Sequence, residues 1–204
     1  MDRTKDGARR WFDRRARSYE GGVTSRWRDP VQRAALEALD LRPDDTVLDV
    51  GCGTGAASRM AAPVARTVVG VDLSGAMIEE AIGLAARLEN VRFQRADAEA
   101  LPFADGSFTA VLCSNSFHHY PEPARAVAEM TRVLAPAGRI AIGDASADLW
   151  TARVADRFLR RFEPGHVRLY RSGELGRFLV DAGLRRVQLR RVGDGGFAIV
   201  RGVH

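Results

Sequence analysis

From Thr46 onward, apolar residues fall in short runs separated by longer helical patterns. TVLDV (46–50), TVVGV (67–71), VRFQR (91–95), FTAVLC (108–113) and RIAIGD (139–144) are brief and largely rich in β-branched or aromatic residues, the mark of strands. Between them, SGAMIEEAIGLAARL (74–88) repeats apolar residues at three- and four-residue spacing behind Ser74, a residue type suited to helix N-caps. PEPARAVAEMTRVL (121–134) does the same, opening on prolines and ending before Pro136 and Gly138. Strand–helix–strand units of this length require parallel pairing with helices on both faces, an α/β doubly wound sheet.

The end of the chain breaks this alternation. SGELGRFLVDAGL (172–184) reads as a helix stopping at Gly183. RRVQLRRV (185–192) and GFAIVRG (196–202) are joined by Gly193-Asp194-Gly195, a turn, which predicts a C-terminal β-hairpin with one strand antiparallel to the rest. Residues 1–40 are amphipathic helical material. The expected organisation is one domain, with 1–40 a helical N-terminal extension serving as a lid and 41–204 the Rossmann-like body.

Bulk properties narrow the picture. A chain of 204 residues, 46% hydrophobic, suits one sizeable domain. No apolar run approaches the roughly 20 residues that span a bilayer, and the charged N-terminus lacks the apolar core of a secretory signal. Two cysteines, Cys52 and Cys113, are too few for a disulfide scaffold, so a reducing cytoplasm is the expected setting. Thirty of the 31 basic residues are arginine, and Lys5 is the single lysine. Residues 1–33 carry ten basic and five acidic groups, 153–204 twelve and five, but the middle, 34–152, nine and sixteen. An acidic centre between basic flanks separates the ligand-handling region from the surface that makes the chain basic.

The chemistry centres on VLDVGCGTG (47–55). Gly51-Cys52-Gly53-Thr54-Gly55-Ala56 satisfies G-x-G-x-x-A, with Asp72 following 21 residues after Gly51, so a dinucleotide is one reading. Against it, Asp49 sits at the strand end, where a carboxylate suits an ammonium and repels a pyrophosphate. The sheet starting at 46 leaves little chain for a separate catalytic domain. Asp49, Asp72 and Asp97 fall at the ends of the first three strands and should line one crevice. A ligand with an ammonium, a ribose diol and an exocyclic amine would meet all three, and S-adenosylmethionine carries these groups with a sulfonium cation.

VLDVGCGTG, VVGVDLS, RADAEALPFADGSFTAVLCSNSFHHY and EMTRVLAPAGRIAIGD, in that order, resemble the class I S-adenosylmethionine-dependent methyltransferases. They are nearest the small-molecule branch that includes the ubiquinone and menaquinone methyltransferases, and the likeness covers about residues 10 to 202. It implies a seven-stranded sheet ordered 3-2-1-4-5-7-6. It also implies that Asp49, Gly51, Gly53, Thr54 and Gly55 contact the methionyl part and that Asp72 takes the ribose hydroxyls. Leu73 and Met77 would flank the adenine, Asp97 and Ala98 bind its edge, Ser114 line the cofactor, and Tyr19 belong to a segment folding over it. Ala137, in LAPAGRI, stands where the family usually has glycine.

His118 and His119 follow the fourth strand, where an acceptor would sit, and are the candidate general bases. A sulfonium methyl needs no acid to leave, so alignment is expected to carry the catalysis. No metal is expected, since the ligand spacing of a metal site is absent. Cys113 reads as a small buried hydrophobe, and Asp144, Arg168 and Arg171 as solvated groups near the acceptor. The expected activity is methyl transfer to an oxygen, nitrogen or carbon of a small organic molecule by a monomer or homodimer. Two alternatives stay open: an RNA-directed methyltransferase using the basic flanks, although SNSFHHYP (114–121) lacks the tetrad of adenine-modifying enzymes, and a non-catalytic S-adenosylmethionine-binding partner subunit.

Overall fold

The computed structural model describes residues 3–21 and 25–204, with the side chains of Arg3 and 25–28 outside the description. Part of the expected 1–40 extension, residues 1–2 and 22–24, therefore lies outside the described residues. Seven strands, β1 (Thr46–Val50), β2 (Thr67–Asp72), β3 (Val91–Arg95), β4 (Phe108–Ser114), β5 (Leu134–Ala145), β6 (Arg185–Val192) and β7 (Phe197–Val203), form one sheet ordered β3-β2-β1-β4-β5-β7-β6. The first five pair in parallel, and β7 runs antiparallel to both β5 and β6. Fold class, strand order and terminal hairpin match the expectation.

The layers follow from strand alternation. On β4, Val111 and Cys113 enter one core with Leu48 and Val50 of β1, while Ala110 and Leu112 enter the other with Val47. The first core is covered by α5 (Pro123–Arg132) and α7 (Ser172–Asp181), through Val127, Met130, Leu175 and Leu179. The second is covered by α2 (Ser25–Leu39), whose Val31, Ala35 and Leu39 are fully buried, and by α3 (Ala56–Ala61). Because α2 is a core layer, α1 (Arg3–Asp13) and the 3-10 turn after it at Ala16–Ser18 are what remains, among the described residues of the expected 1–40 extension, outside the two sheet cores.

Several boundaries differ from the sequence pattern. α4 spans Gly75–Leu84, shorter than 74–88, with Ser74 accepting from the Met77 N–H as N-cap. α5 stops at Arg132 and β5 begins at Leu134, because the Phe108 N–H takes the Val133 carbonyl and starts the β4 pairing there. Ala137 sits in this stretch at φ 61°, so an alanine holds the left-handed conformation that favours glycine. α3 and α6 (Trp150–Phe162) carry no corresponding prediction.

Candidate functional site

The glycine loop is shaped by bonds to the end of β2. The Gly51 and Cys52 N–H groups both donate to the Val71 carbonyl, at 2.8 and 2.9 Å, and Gly53 N–H donates to Asp72 Oδ2 at 2.9 Å. Gly51 has φ 71°, and a Cβ there would collide with Ser116 and the Tyr120 hydroxyl. Asp72 Oδ1 accepts from Ser74 N–H at 2.8 Å. With both oxygens pinned by backbone, the carboxylate is fixed at the cleft wall, and burial pushes its pKa up.

Beside this loop lie two adjoining chambers that share Tyr19, Gly51, Gly53 and Asn115. The first encloses about 750 Å³ and is walled by Asp72, Leu73, Met77, Asp97, Ala98, Glu99, His119 and Tyr120. The second encloses about 690 Å³ and is walled by Glu20, Asp29, Gln32, Thr54 and Ser114. Thr54 donates to Glu20 Oε1 at 2.6 Å, and Arg59 clamps the same carboxylate at 2.8 and 2.9 Å. The lining suits a ligand with an apolar, diol-bearing end and a polar, cationic end, because carboxylates recur in both chambers.

Two of the residues expected to contact the cofactor are not in these walls. Asp49 faces α3, on the sheet side opposite Leu48 and Val50; its Oδ2 accepts from Ser58 Oγ at 2.6 Å and its buried Oδ1 has no partner. Burial raises its pKa to about 6, with the neighbouring Asp72 charge adding to the shift. Gly55 opens α3 at φ 79°, and a Cβ there would strike Phe93, so its bareness serves strand–helix packing.

α1 lies across the first chamber. Lys5 Nζ donates to Asp97 Oδ2 at 2.7 Å and pairs also with Glu99, and Asp13 accepts from Ser74 Oγ at 2.5 Å. Burial would lower the Lys5 pKa, but the bonds to Asp97 and Glu99 outweigh it and hold it above its ordinary value. Phe12 packs edge-on against His119 at 5.0 Å and Tyr19 at 6.1 Å. Lys5, Glu20, Glu99, Asn115 and Tyr120 escaped the sequence reading as site residues; only Lys5 carried a signal, as the single lysine of an arginine-rich chain.

The two histidines differ in their surroundings. After β4, Asn115 at φ 53° turns the chain into a 3-10 turn, Phe117–His119. Asp144, expected in a solvated loop, is buried in β5 and accepts from both His118 N–H (3.0 Å) and His118 Nδ1 (2.7 Å). Burial would lower the His118 pKa, but the Asp144 charge and hydrogen bond hold it above its ordinary value. His119 lines the first chamber, yet burial and the positive charge of His118 push its pKa far below the ordinary value. His166 packs against both rings, 5.3 Å from His118 and 6.2 Å from His119, and is held by Asp156 at 2.8 Å. Burial raises the Cys113 pKa to about 12, which leaves the thiol inert. Among the described residues, no group of three or more His, Cys, Asp or Glu is arranged to hold a metal ion.

Residues 48–142, which include the glycine loop, Asp72, Asp97 and both histidines, match the family model described as methyltransferase domain. Residues 48–142 form a methyltransferase domain. The likeness read from the four sequence blocks is thereby borne out. The chain is 36% identical over 153 residues to a demethylmenaquinone methyltransferase of Renibacterium salmoninarum, covering 72% of this chain and 62% of the relative. It is 40% identical over 110 residues to 27-O-demethylrifamycin SV methyltransferase of Amycolatopsis mediterranei, covering 52% of this chain and 40% of the relative. The chain thus spans between 40% and 62% of the length of these two curated relatives. It shares its fold with the crystal structure of a SAM-dependent methyltransferase from Aquifex aeolicus, at TM-score 0.74 and 23% identity, over 94% of this chain and 97% of that one. Among the described residues no helix is long and apolar enough to cross a membrane.

Proposed function

We propose that the chain moves the methyl group of S-adenosylmethionine to an acidic aromatic hydroxyl, or to the activated ring carbon beside it, of a small apolar molecule. The observation that carries this reading is the pinned Asp72 carboxylate beside the glycine loop, flanked by Leu73 and Met77, at the junction of an apolar and a polar chamber. Asp72 would hold the ribose diol, Leu73, Met77 and Ala98 the adenine faces, and Thr54, Ser114 and the loop glycines the amino-acid end. Bound there, S-adenosylmethionine supplies an electrophilic methyl carbon on a leaving group that needs no protonation.

What remains for the protein is alignment, exclusion of water and the acceptor's proton. A general base needs both reach and basicity. His118 has the carboxylate partner but is absent from the chamber wall, whereas His119 lines the wall but resists protonation. Neither histidine combines the two, so we assign both to shaping the acceptor side. An acceptor that arrives already ionised fits such a site, and the aromatic acceptor implied by the demethylmenaquinone relative's name agrees with it. α1, with Phe12 and Tyr19, leaves an enclosed space suited to a small molecule.

The test is release of S-adenosylhomocysteine with a panel of phenols, reduced naphthoquinones, aliphatic alcohols and RNA. Turnover on the acidic aromatic acceptors supports the reading. Turnover on RNA or on aliphatic alcohols alone overturns it, as does cofactor binding with no turnover on any acceptor.

A further inference from the structure

Four of the ten exposed large hydrophobic side chains among the described residues lie on α6. Trp150, Val154, Phe158 and Phe162 recur every fourth residue, and on a helix such a stripe advances about 40° per step, covering about 120° of the surface. They are 70%, 62%, 61% and 62% exposed, and no residue of the helix is fully buried. The side turned toward the body is Ala152, Asp156, Leu159 and Glu163, which are partly covered. The aromatic stripe therefore projects away from the protein.

Arg153, Arg157 and Arg160 lie along one flank of the stripe and Arg161 within it, over the Phe162 ring, opposed on this helix by Asp156 alone. Asp156 is already engaged, by Arg160 at 3.1 Å, by His166 and by the Leu169 N–H. We infer that α6 is a docking helix for an anionic lipid surface, its aromatic stripe sinking into the interface and its arginines meeting the headgroups. Thirteen residues give about 20 Å of helix, too short to span a bilayer and suited to lying in its plane.

Charge decides between this occupant and a second copy. An isologous contact through α6 would bring its arginines close to their own copies, and the exposed stripe offers only on the order of 500 Å² per partner, against about 800 Å² in a stable interface. An anionic surface meets both the stripe and the arginines. The helix is also tied to the cleft: Asp156 on its inner side holds His166, which packs on His118 and His119. A chain docked through α6 would present the acceptor side of the cleft close to the membrane, where an apolar acceptor is concentrated.

The experiment is flotation of the full chain with vesicles of phosphatidylcholine alone or doped with phosphatidylglycerol, a readout independent of methyl transfer. The wild type should float with the anionic vesicles, poorly with the neutral ones, and less at high salt. The double variant Trp150→Ser, Phe158→Ser should partition at least tenfold more weakly, and Arg153→Gln with Arg157→Gln should lose the anionic preference. Unchanged thermal melting would show each variant folded, as expected for side chains outside the core. Absence of wild-type flotation, equal flotation of the double variant, or a dimer that the double variant abolishes without any vesicle binding would each overturn the inference.

Discussion

Replacing Lys5 with methionine should free α1 from the cleft while leaving the body of the fold intact. Lys5 reaches across 92 residues of sequence to Asp97 and pairs also with Glu99. Its side chain is 20% exposed, Asp97 is 34% exposed and Glu99 4%, so one of the two carboxylates is deeply buried and the other partly screened. Removing one partner of a fully buried pair costs about 3–5 kcal/mol, and an exposed pair is worth at most about 1 kcal/mol. The mixed exposure places the loss near 2 kcal/mol, which corresponds to a roughly 30-fold rise in local opening. The cost should fall on α1 alone, because the body is held by the two sheet cores. Amide hydrogen exchange would show α1 exchanging roughly 30-fold faster while β1 and β4 keep their protection. Lys5 has a raised pKa, so its contribution is fully present below the unfolded value of 10.5 and is lost only as pH rises above it. The α1 contact should therefore be insensitive to pH near neutrality. Wild-type exchange rates in α1 of Lys5→Met would refute the latch.

Other consequences are equally direct. Burial raises the Asp49 pKa to about 6 from an ordinary value of 3.8, so folding favours its protonated form and its charge opposes stability as pH rises from 4 through 6. Asp49→Asn should stabilise the chain by about 1–3 kcal/mol at pH 7 and by almost nothing at pH 3, measured by urea unfolding at both values; equal effects at the two pH values would contradict the buried charge. Ala137→Gly should raise stability by about 1 kcal/mol, because glycine adopts φ 61° without the Cβ penalty; a lower melting temperature would show the turn unstrained. His118→Asn and His119→Asn should each lower kcat/KM by less than about 100-fold and keep the shape of its pH profile; loss of the acidic limb in either, with cofactor affinity intact, would establish a general base.

The strands and the glycine loop could be read from sequence because each is a local pattern, while the strand order came from the family resemblance. Asp72, Leu73 and Met77 reach the cleft through one short turn after β2. What escaped depends on tertiary placement. A parallel sheet is buried on both faces, so period-two alternation does not reveal which face carries the cleft, and Asp49 turned toward Ser58. Asp144 looked like a solvated strand-end carboxylate because its partner, His118, lies 26 residues away. α3 has six residues, too few for a helical repeat to show. α6 does repeat, but periodicity shows that a helix has an apolar side without showing that the side meets solvent.

The central claim is that the cleft beside the glycine loop holds S-adenosylmethionine through Asp72. Isothermal titration of S-adenosylhomocysteine into the wild type and into Asp72→Ala, each checked for folding by its thermal melt, tests it directly. Charge-assisted hydrogen bonds of this kind are worth about 1.5–3 kcal/mol, so the variant should bind roughly ten- to a hundred-fold more weakly. Equal affinity in a folded variant, or a wild type that binds NAD and not S-adenosylhomocysteine, would contradict it.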